Sequence, residues 1–186
     1  MKYTYLLLLV LCLSGWANAY PGMQKQTSQP LSTVDLISVL PLPYPIEAVP
    51  FQNQQGHQID FSHYRGKVIL VNMWATWCPP CVRELPAIQR FADKLKTQDF
   101  VVLPISIDAE GAEQVTPFLK GLGLEQFTSY YDPSQQLGQV FPLDTIPATF
   151  ILNREGQLVA FVRTYVDWDD DKAVTLIQQL LQQTTP

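Results

Sequence analysis

Val68-Ile69-Leu70-Val71-Asn72-Met73-Trp74 leads through Ala75-Thr76 into Trp77-Cys78-Pro79-Pro80-Cys81-Val82-Arg83-Glu84-Leu85, and the join decides the fold. The first part is a near-continuous apolar run, which suits a strand buried on both faces. Beyond the cysteines, Val82, Leu85, Ile88, Phe91, Ala92 and Leu95 recur at helical spacing and predict a helix over about 79–96. Pro86 falls inside it, removes one internal hydrogen bond and is expected to kink it. Two thiols three positions apart at a helix start can pair. The first sits where helix N–H groups and the macrodipole favour a thiolate, the nucleophilic form. Strand, C-x-x-C and helix in that order read as a dithiol–disulfide active site.

The chain has 186 residues, is 47% hydrophobic and carries a formal charge of −5. That suits one domain with appendages and an ample core. The acidic balance argues against nucleic acid as a partner and weakly against an anionic membrane surface. Of three cysteines, Cys12 lies in the apolar run from Leu6 to Leu13, behind Lys2 and ahead of Ala17-Asn18-Ala19. That order describes a secretory signal peptide over residues 1–19, cleaved after Ala19, and a periplasmic or otherwise exported protein. Membrane contact is expected only if the segment stays uncleaved as an anchor, for which the run is short of the usual span of about 20 residues. Bulky Leu9 and Leu11 ahead of Cys12 do not suit a lipoprotein site. The mature chain then keeps one cysteine pair. A structural disulfide is the bland alternative. A C-x-x-C bridge closes a very short loop and stabilises little, and a domain of this size does not need a staple.

Residues 20–50 are rich in Pro, Gln and Ser; Pro21, Pro30, Pro41, Pro43, Pro45 and Pro50 are expected to break any regular element. This part is a linker or an extended wrap, with Leu36-Ile37-Ser38-Val39-Leu40 free to dock on the domain or not. The domain proper spans 51–186. Asn53-Gln54-Gln55-Gly56 is a turn between two short strands. A second strand covers 101–107, with Pro104 an anomaly inside it. It is followed by Asp108 and a helix near 112–122. Asp132-Pro133-Ser134 is a turn, with a short helix at 135–140. Strands at 149–152 and 157–163 flank Asn153-Arg154-Glu155-Gly156, a hairpin. Asp169-Asp170-Asp171 caps a last helix over 172–183. The fold class is α/β: a central mixed sheet flanked by helices on both faces, with an N-terminal β-hairpin extension.

Residues 64–86, from Tyr64-Arg65-Gly66-Lys67 to Leu85-Pro86, resemble the thioredoxin superfamily, and within it the exported TlpA/ResA-type thiol–disulfide oxidoreductases. Thr145-Ile146-Pro147-Ala148-Thr149-Phe150-Ile151-Leu152 is a second match, and Val166-Asp167-Trp168-Asp169-Asp170 a looser third. The resemblance covers about residues 50–183 and implies a thioredoxin fold. It makes Cys78 the attacking thiol and Cys81 the buried resolving one. Ile146-Pro147 would be a cis-proline loop opposite the disulfide, and Trp77, Pro79 and Pro80 would border the bound client. Thioredoxin itself has a buried aspartate six residues before the first cysteine, where this chain has Asn72. The TlpA/ResA branch commonly has asparagine there and a glutamate after the second cysteine, matched by Glu84. One helical turn past Cys81, a carboxylate would raise the thiol's pKa and could accept its proton; a solvated surface glutamate is the competing account.

The implied chemistry is thiol–disulfide exchange with client proteins, without a cofactor, by a monomer that a membrane thiol donor keeps reduced. Pro79 and Pro80 lack N–H groups, and no cationic residue lies between the cysteines, so the Cys78 thiolate is not deeply stabilised. A less stabilised reduced form favours the reducing direction, in cytochrome c maturation or general disulfide reduction. Metal handling is the rival from another class, with His57, His63, Cys78 and Cys81 as conceivable ligands for zinc or copper, although nothing spaces the histidines as a pair. A non-catalytic interaction module need not keep both cysteines. A peroxidase wants a different thiol setting. Trp74, Trp77 and Phe91 are assigned to core and site walls rather than to a ligand box.

Overall fold

Residues 31–96 and 99–182 are described in a computed structural model of the protein, all within one unit, Leu31–Pro186. The expected signal peptide with its cleavage site and Cys12, residues 20–30, and position 183 of the last helix lie outside the described residues. In chain order the strands are β1 (Ser38–Tyr44), β2 (Phe51–Gln52), β3 (Gln58–Ile59), β4 (Val68–Trp74), β5 (Phe100–Ser106), β6 (Tyr130–Tyr131), β7 (Ala148–Leu152) and β8 (Leu158–Val162). The α-helices are α1 (Pro79–Leu95), α2 (Ala112–Gly121) and α3 (Asp171–Gln182). The strands form one mixed sheet in the order β1-β8-β7-β4-β5-β6-β2-β3.

β4 is the strand that the apolar run predicts: all seven of its residues are buried. It pairs parallel with β5, from Val68 opposite Phe100 to Trp74 opposite Ser106, and antiparallel with β7, from Ile69 opposite Leu152 to Met73 opposite Ala148. Its side chains alternate between two cores. Val68, Leu70 and Trp74 join the buried faces of α1, α2 and α3, through residues such as Leu85, Phe91, Val115 and Ile177. Ile69, Val71 and Met73 join the opposite core with Phe51, Phe61, Leu137 and Phe150. The sheet is therefore covered by helices on both faces, but of different kinds. The three α-helices share one face, and the 3-10 helices Phe61–Tyr64 and Gln136–Gln139 help to close the other.

Pro104 sits inside β5 because of where its missing N–H would point. Ile107 N–H donates to Trp74 C=O, and Ser106 C=O accepts from Asp132 N–H. Alternate residues of a parallel strand address alternate neighbours, so position 104 faces the β6 side. β6 begins only opposite Ile105, so no ladder bond is lost there. The prolines at 41 and 43 do not break up the stretch as the sequence predicts. β1 is an edge strand that pairs only with β8, and both prolines fall in the register break between Val39 and Tyr44, where β8 asks for no donor. Helix α1 also runs through Pro86 to Leu95, and α2 holds a second internal proline, Pro117.

Both hairpins use one device. In 53–57 and in 153–157 the leading asparagine Oδ1 accepts from the N–H groups two and four residues on. The closing glycines, Gly56 at φ 76° and Gly156 at φ 77°, take the left-handed conformation that other residues resist. Near the sheet's far edge, Ser32 Oγ donates to Asp170, Asp167 N–H donates to Thr33 Oγ1, and Lys172 pairs with Asp35, so residues 32–35 are stapled to the start of α3. Among the described residues no helix is long and apolar enough to cross a membrane.

Phe91 stacks α1 on the rest of the helical core, with ring centroids 5.8 Å from Phe100 and 5.3 Å from Trp168. Phe91→Ala should cost about 3–5 kcal/mol of unfolding free energy in a urea titration. A loss below about 1 kcal/mol would mean that this contact does not hold α1 to the sheet.

Candidate active site

Where β4 ends, the chain makes a short turn and starts α1, and Cys78 is the residue at the turn-to-helix boundary. It is the N-cap of α1, with Pro79 and Pro80 in the first two helical positions. Proline suits the first turn, where N–H groups have no intrahelical acceptor. Of the donors that could reach Cys78 Sγ, only the Cys81 N–H remains, at 3.3 Å. The two cysteines form a disulfide with Cα atoms 5.3 Å apart. Cys78 keeps a sliver of exposure, 5%, whereas Cys81 has none. An incoming sulfur can therefore reach only the first of the pair. Trp77 beside it is 61% exposed, Pro79 is exposed and Pro80 half-buried. The loop before β7 closes the other side: the Ile146–Pro147 bond is cis, and the Ile146 carbonyl oxygen lies 3.8 Å from Cys78 Sγ.

Glu84 is not a surface residue. Its side chain points from α1 into the sheet side of the molecule and has no solvent exposure. Oε1 accepts from the Val166 N–H at 2.6 Å, and Oε2 accepts from Asn72 Nδ2 at a long 3.5 Å. Asn72 Nδ2 also donates to Thr149 Oγ1 at 3.1 Å, while its Oδ1 is buried without a partner among the described residues. Removal from water dominates and pushes the Glu84 carboxyl up to about 7, against the lowering effects of Val166, Asn72 and the Trp168 indole. The Trp168 Nε1 lies near enough to exert that effect but makes no hydrogen bond among the described residues. The Asn72 amide has a second use for its idle oxygen. Turned over, it would accept from a protonated Glu84, so the pair can serve both protonation states.

Tyr165, half-buried, feels this acid. Burial first, then the charges of Asp167 and Glu84, hold its phenol above the ordinary range. The Arg83 guanidinium lies 6.0 Å above its ring. The histidines lie elsewhere. His57 closes the β2–β3 turn, and His63 forms a reciprocal cap with Asp60 on the 3-10 helix Phe61–Tyr64. Among the described residues no three His, Cys, Asp or Glu side chains are grouped to hold a metal ion.

Sequence reasoning passes over Val166 as a participant, because a backbone N–H carries no residue signature. It also passes over Asp108, which looks like an ordinary acid after a strand. Asp108 is 1% exposed and lies beside the turn that carries Cys78. Its only sequence signal is its place at the carboxyl end of the strand neighbouring β4.

The family model for the AhpC/TSA family matches residues 44–161, more than half of the chain. The thiol-disulfide oxidoreductase ResA of Bacillus subtilis is 29% identical over 111 residues, which cover 60% of this chain and 61% of that protein. The ResA of Geobacillus kaustophilus is 31% identical over 104 residues, covering 56% and 59%. This chain thus spans about three fifths of the length of these curated relatives. Among solved structures, a secreted thiol-disulfide isomerase from Corynebacterium glutamicum superposes with a TM-score of 0.66 at 22% identity, over 80% of this chain and 93% of that one. At that identity it speaks for the fold.

The buried acid makes stability depend on pH. In the unfolded chain Glu84 gives up its proton near its ordinary 4.5, and in the folded protein near 7, so between these values the folded state holds the extra proton. Stability should then fall as pH rises through this window, by on the order of 3 kcal/mol, and level off above it. Glu84→Gln should remove that decline in urea titrations run across the window. Parallel curves for the two proteins would show that burial does not raise the acid.

Proposed function

The chain belongs to the AhpC/TSA family and is a thioredoxin-superfamily protein of the TlpA/ResA type, and we propose that it exchanges the Cys78–Cys81 disulfide and dithiol with disulfides of client proteins. The observation that carries this is the order of burial along one helix: a reachable Cys78, an enclosed Cys81 and, one turn on, an enclosed acid. The ResA relatives are named thiol-disulfide oxidoreductases, which agrees.

In the reducing direction, the Cys78 thiolate attacks one sulfur of a client disulfide. A Cys78–client S–S bond forms, the client S–S bond breaks, and the departing client sulfur takes a proton. Cys81 then attacks Cys78 Sγ; its thiol proton passes to Glu84, an acid poised near 7, either directly or through water. The Cys78–Cys81 bond forms, the second client sulfur leaves as a thiol, and two electrons have passed to the client. The Ile146 carbonyl and the exposed Trp77, with Pro79 and Pro80, form the border on which an extended client strand would lie.

Reduction is the favoured direction because Cys78 Sγ has one N–H donor where a helix start can offer more. A weakly stabilised thiolate makes a weak oxidant. The family resemblance and the expected signal peptide support work outside the cytoplasm, on cytochrome c maturation or general disulfide reduction. There a monomer with no bound cofactor draws electrons from a thiol donor at the membrane.

Cys81→Ser should trap mixed disulfides on Cys78 that mass spectrometry of exported proteins can identify, and Cys78→Ser should trap none. Equal trapping by both variants, or by neither while Cys78 still alkylates, would sink the exchange mechanism. The reduction potential should lie nearer about −270 mV than about −120 mV, the values of thioredoxin and of a strong disulfide-forming oxidant. Equilibration with glutathione measures it, and a value at the oxidising end would reverse the direction.

A further inference from the structure

Ala75, Thr76 and Trp77 separate the end of β4 from Cys78, and the group that holds them comes from the neighbouring strand. The Cys78 N–H donates to Ala75 C=O at 3.2 Å, closing a turn that makes no use of the Thr76 N–H. Asp108 takes it. Its Oδ2 accepts from Thr76 N–H at 2.9 Å and from Ser106 Oγ at 2.7 Å. Its Oδ1 accepts from Thr76 Oγ1 at 2.7 Å and from Gln114 Nε2 at 2.9 Å. Gln114, on α2, also donates to Thr76 Oγ1 at 2.7 Å, and the Asp108 N–H returns to Ser106 Oγ at 3.0 Å. One carboxyl group therefore grips Thr76 by backbone and side chain together.

This grip is possible because β4 and β5 are parallel. Their carboxyl ends lie side by side, Trp74 opposite Ser106, and Ile107 N–H donates to Trp74 C=O at 3.0 Å. None of the ion pairs among the described residues involves Asp108. Burying a carboxyl group without a cation is costly unless its oxygens are satisfied, and here four donors satisfy them. All of this is spent on a residue two positions before the reactive cysteine.

We propose that Asp108 is a positioning residue for the exchange reaction, acting through Thr76 to hold Cys78 at the N-cap of α1. The inference rests on the function proposed above. With Thr76 released, the turn can shift, and Cys78 Sγ moves off the Cys81 N–H that is its one helix donor. The thiolate is then less favoured, and its line of attack is lost.

The test uses Asp108→Ala, Thr76→Val and Thr76→Ser in the full chain. It reads the pH profile of Cys78 alkylation by iodoacetamide and the rate at which the reduced protein cleaves a dithiobis-nitrobenzoate disulfide near neutral pH. Asp108→Ala and Thr76→Val should move the alkylation profile to higher pH and slow cleavage about tenfold, whereas Thr76→Ser, which keeps the hydroxyl, should follow the wild type. Should Asp108→Ala not fold, Thr76→Val and Gln114→Ala carry the test, both residues being only half-buried. A merely structural role would lower the melting temperature and leave the alkylation profile in place. Folded variants with the wild-type profile and rate, or a Thr76→Ser protein as impaired as Thr76→Val, would overturn the inference. A wild-type protein that cleaves no disulfide would overturn both proposals; wild-type cleavage with unimpaired variants removes this one alone.

Discussion

A strand buried on both faces must satisfy its backbone along both edges, and β4 does so with a parallel neighbour and an antiparallel one. The rest of the molecule is arranged around that requirement. The parallel partner, β5, places its own carboxyl end beside that of β4, so that Asp108 can reach the turn leading to Cys78. The antiparallel partner, β7, starts where β4 finishes, which brings Ile146 and Pro147 against the disulfide. The site lies at one end of the central strand because its two neighbours run in opposite directions.

Two buried carboxyl groups flank the C-x-x-C segment, Asp108 beside the turn before it and Glu84 on the helix after it, and the structure treats them differently. Asp108 has four donors on its two oxygens. Glu84 has one short bond to Val166 N–H and one long one to Asn72. Burial without matching donors is what leaves Glu84 ready to exchange a proton near neutrality. The bonds of Asp108 hold Thr76 by backbone and side chain, whereas Glu84, partly satisfied, can change state. The idle Asn72 Oδ1 belongs to the second kind of arrangement.

Much of the fold was legible because hydrophobic period is a local property. The apolar run of β4, the helical spacing of α1 and the asparagine–glycine turns can each be read from a few adjacent residues. The prolines were harder. Whether a proline breaks a strand depends on whether its neighbour needs the missing N–H, which Pro104 and the pair at 41 and 43 show from two sides. The distribution of coverings was also hidden: periodicity finds α2 but does not say that it shares a face with α1 and α3.

By itself the sequence determined the C-x-x-C pair, its place at a helix start and the scarcity of donors around Cys78, since two adjacent prolines lack N–H groups wherever they lie. It also narrowed Glu84 to two accounts, a solvated surface acid or a carboxyl group near a thiol. Only the tertiary structure removed the first, because exposure depends on what β4 and the residues around Val166 place over that side chain. The same holds for Asp108. A carboxyl group 30 residues from Cys78 becomes its neighbour's anchor only when two parallel strands end side by side.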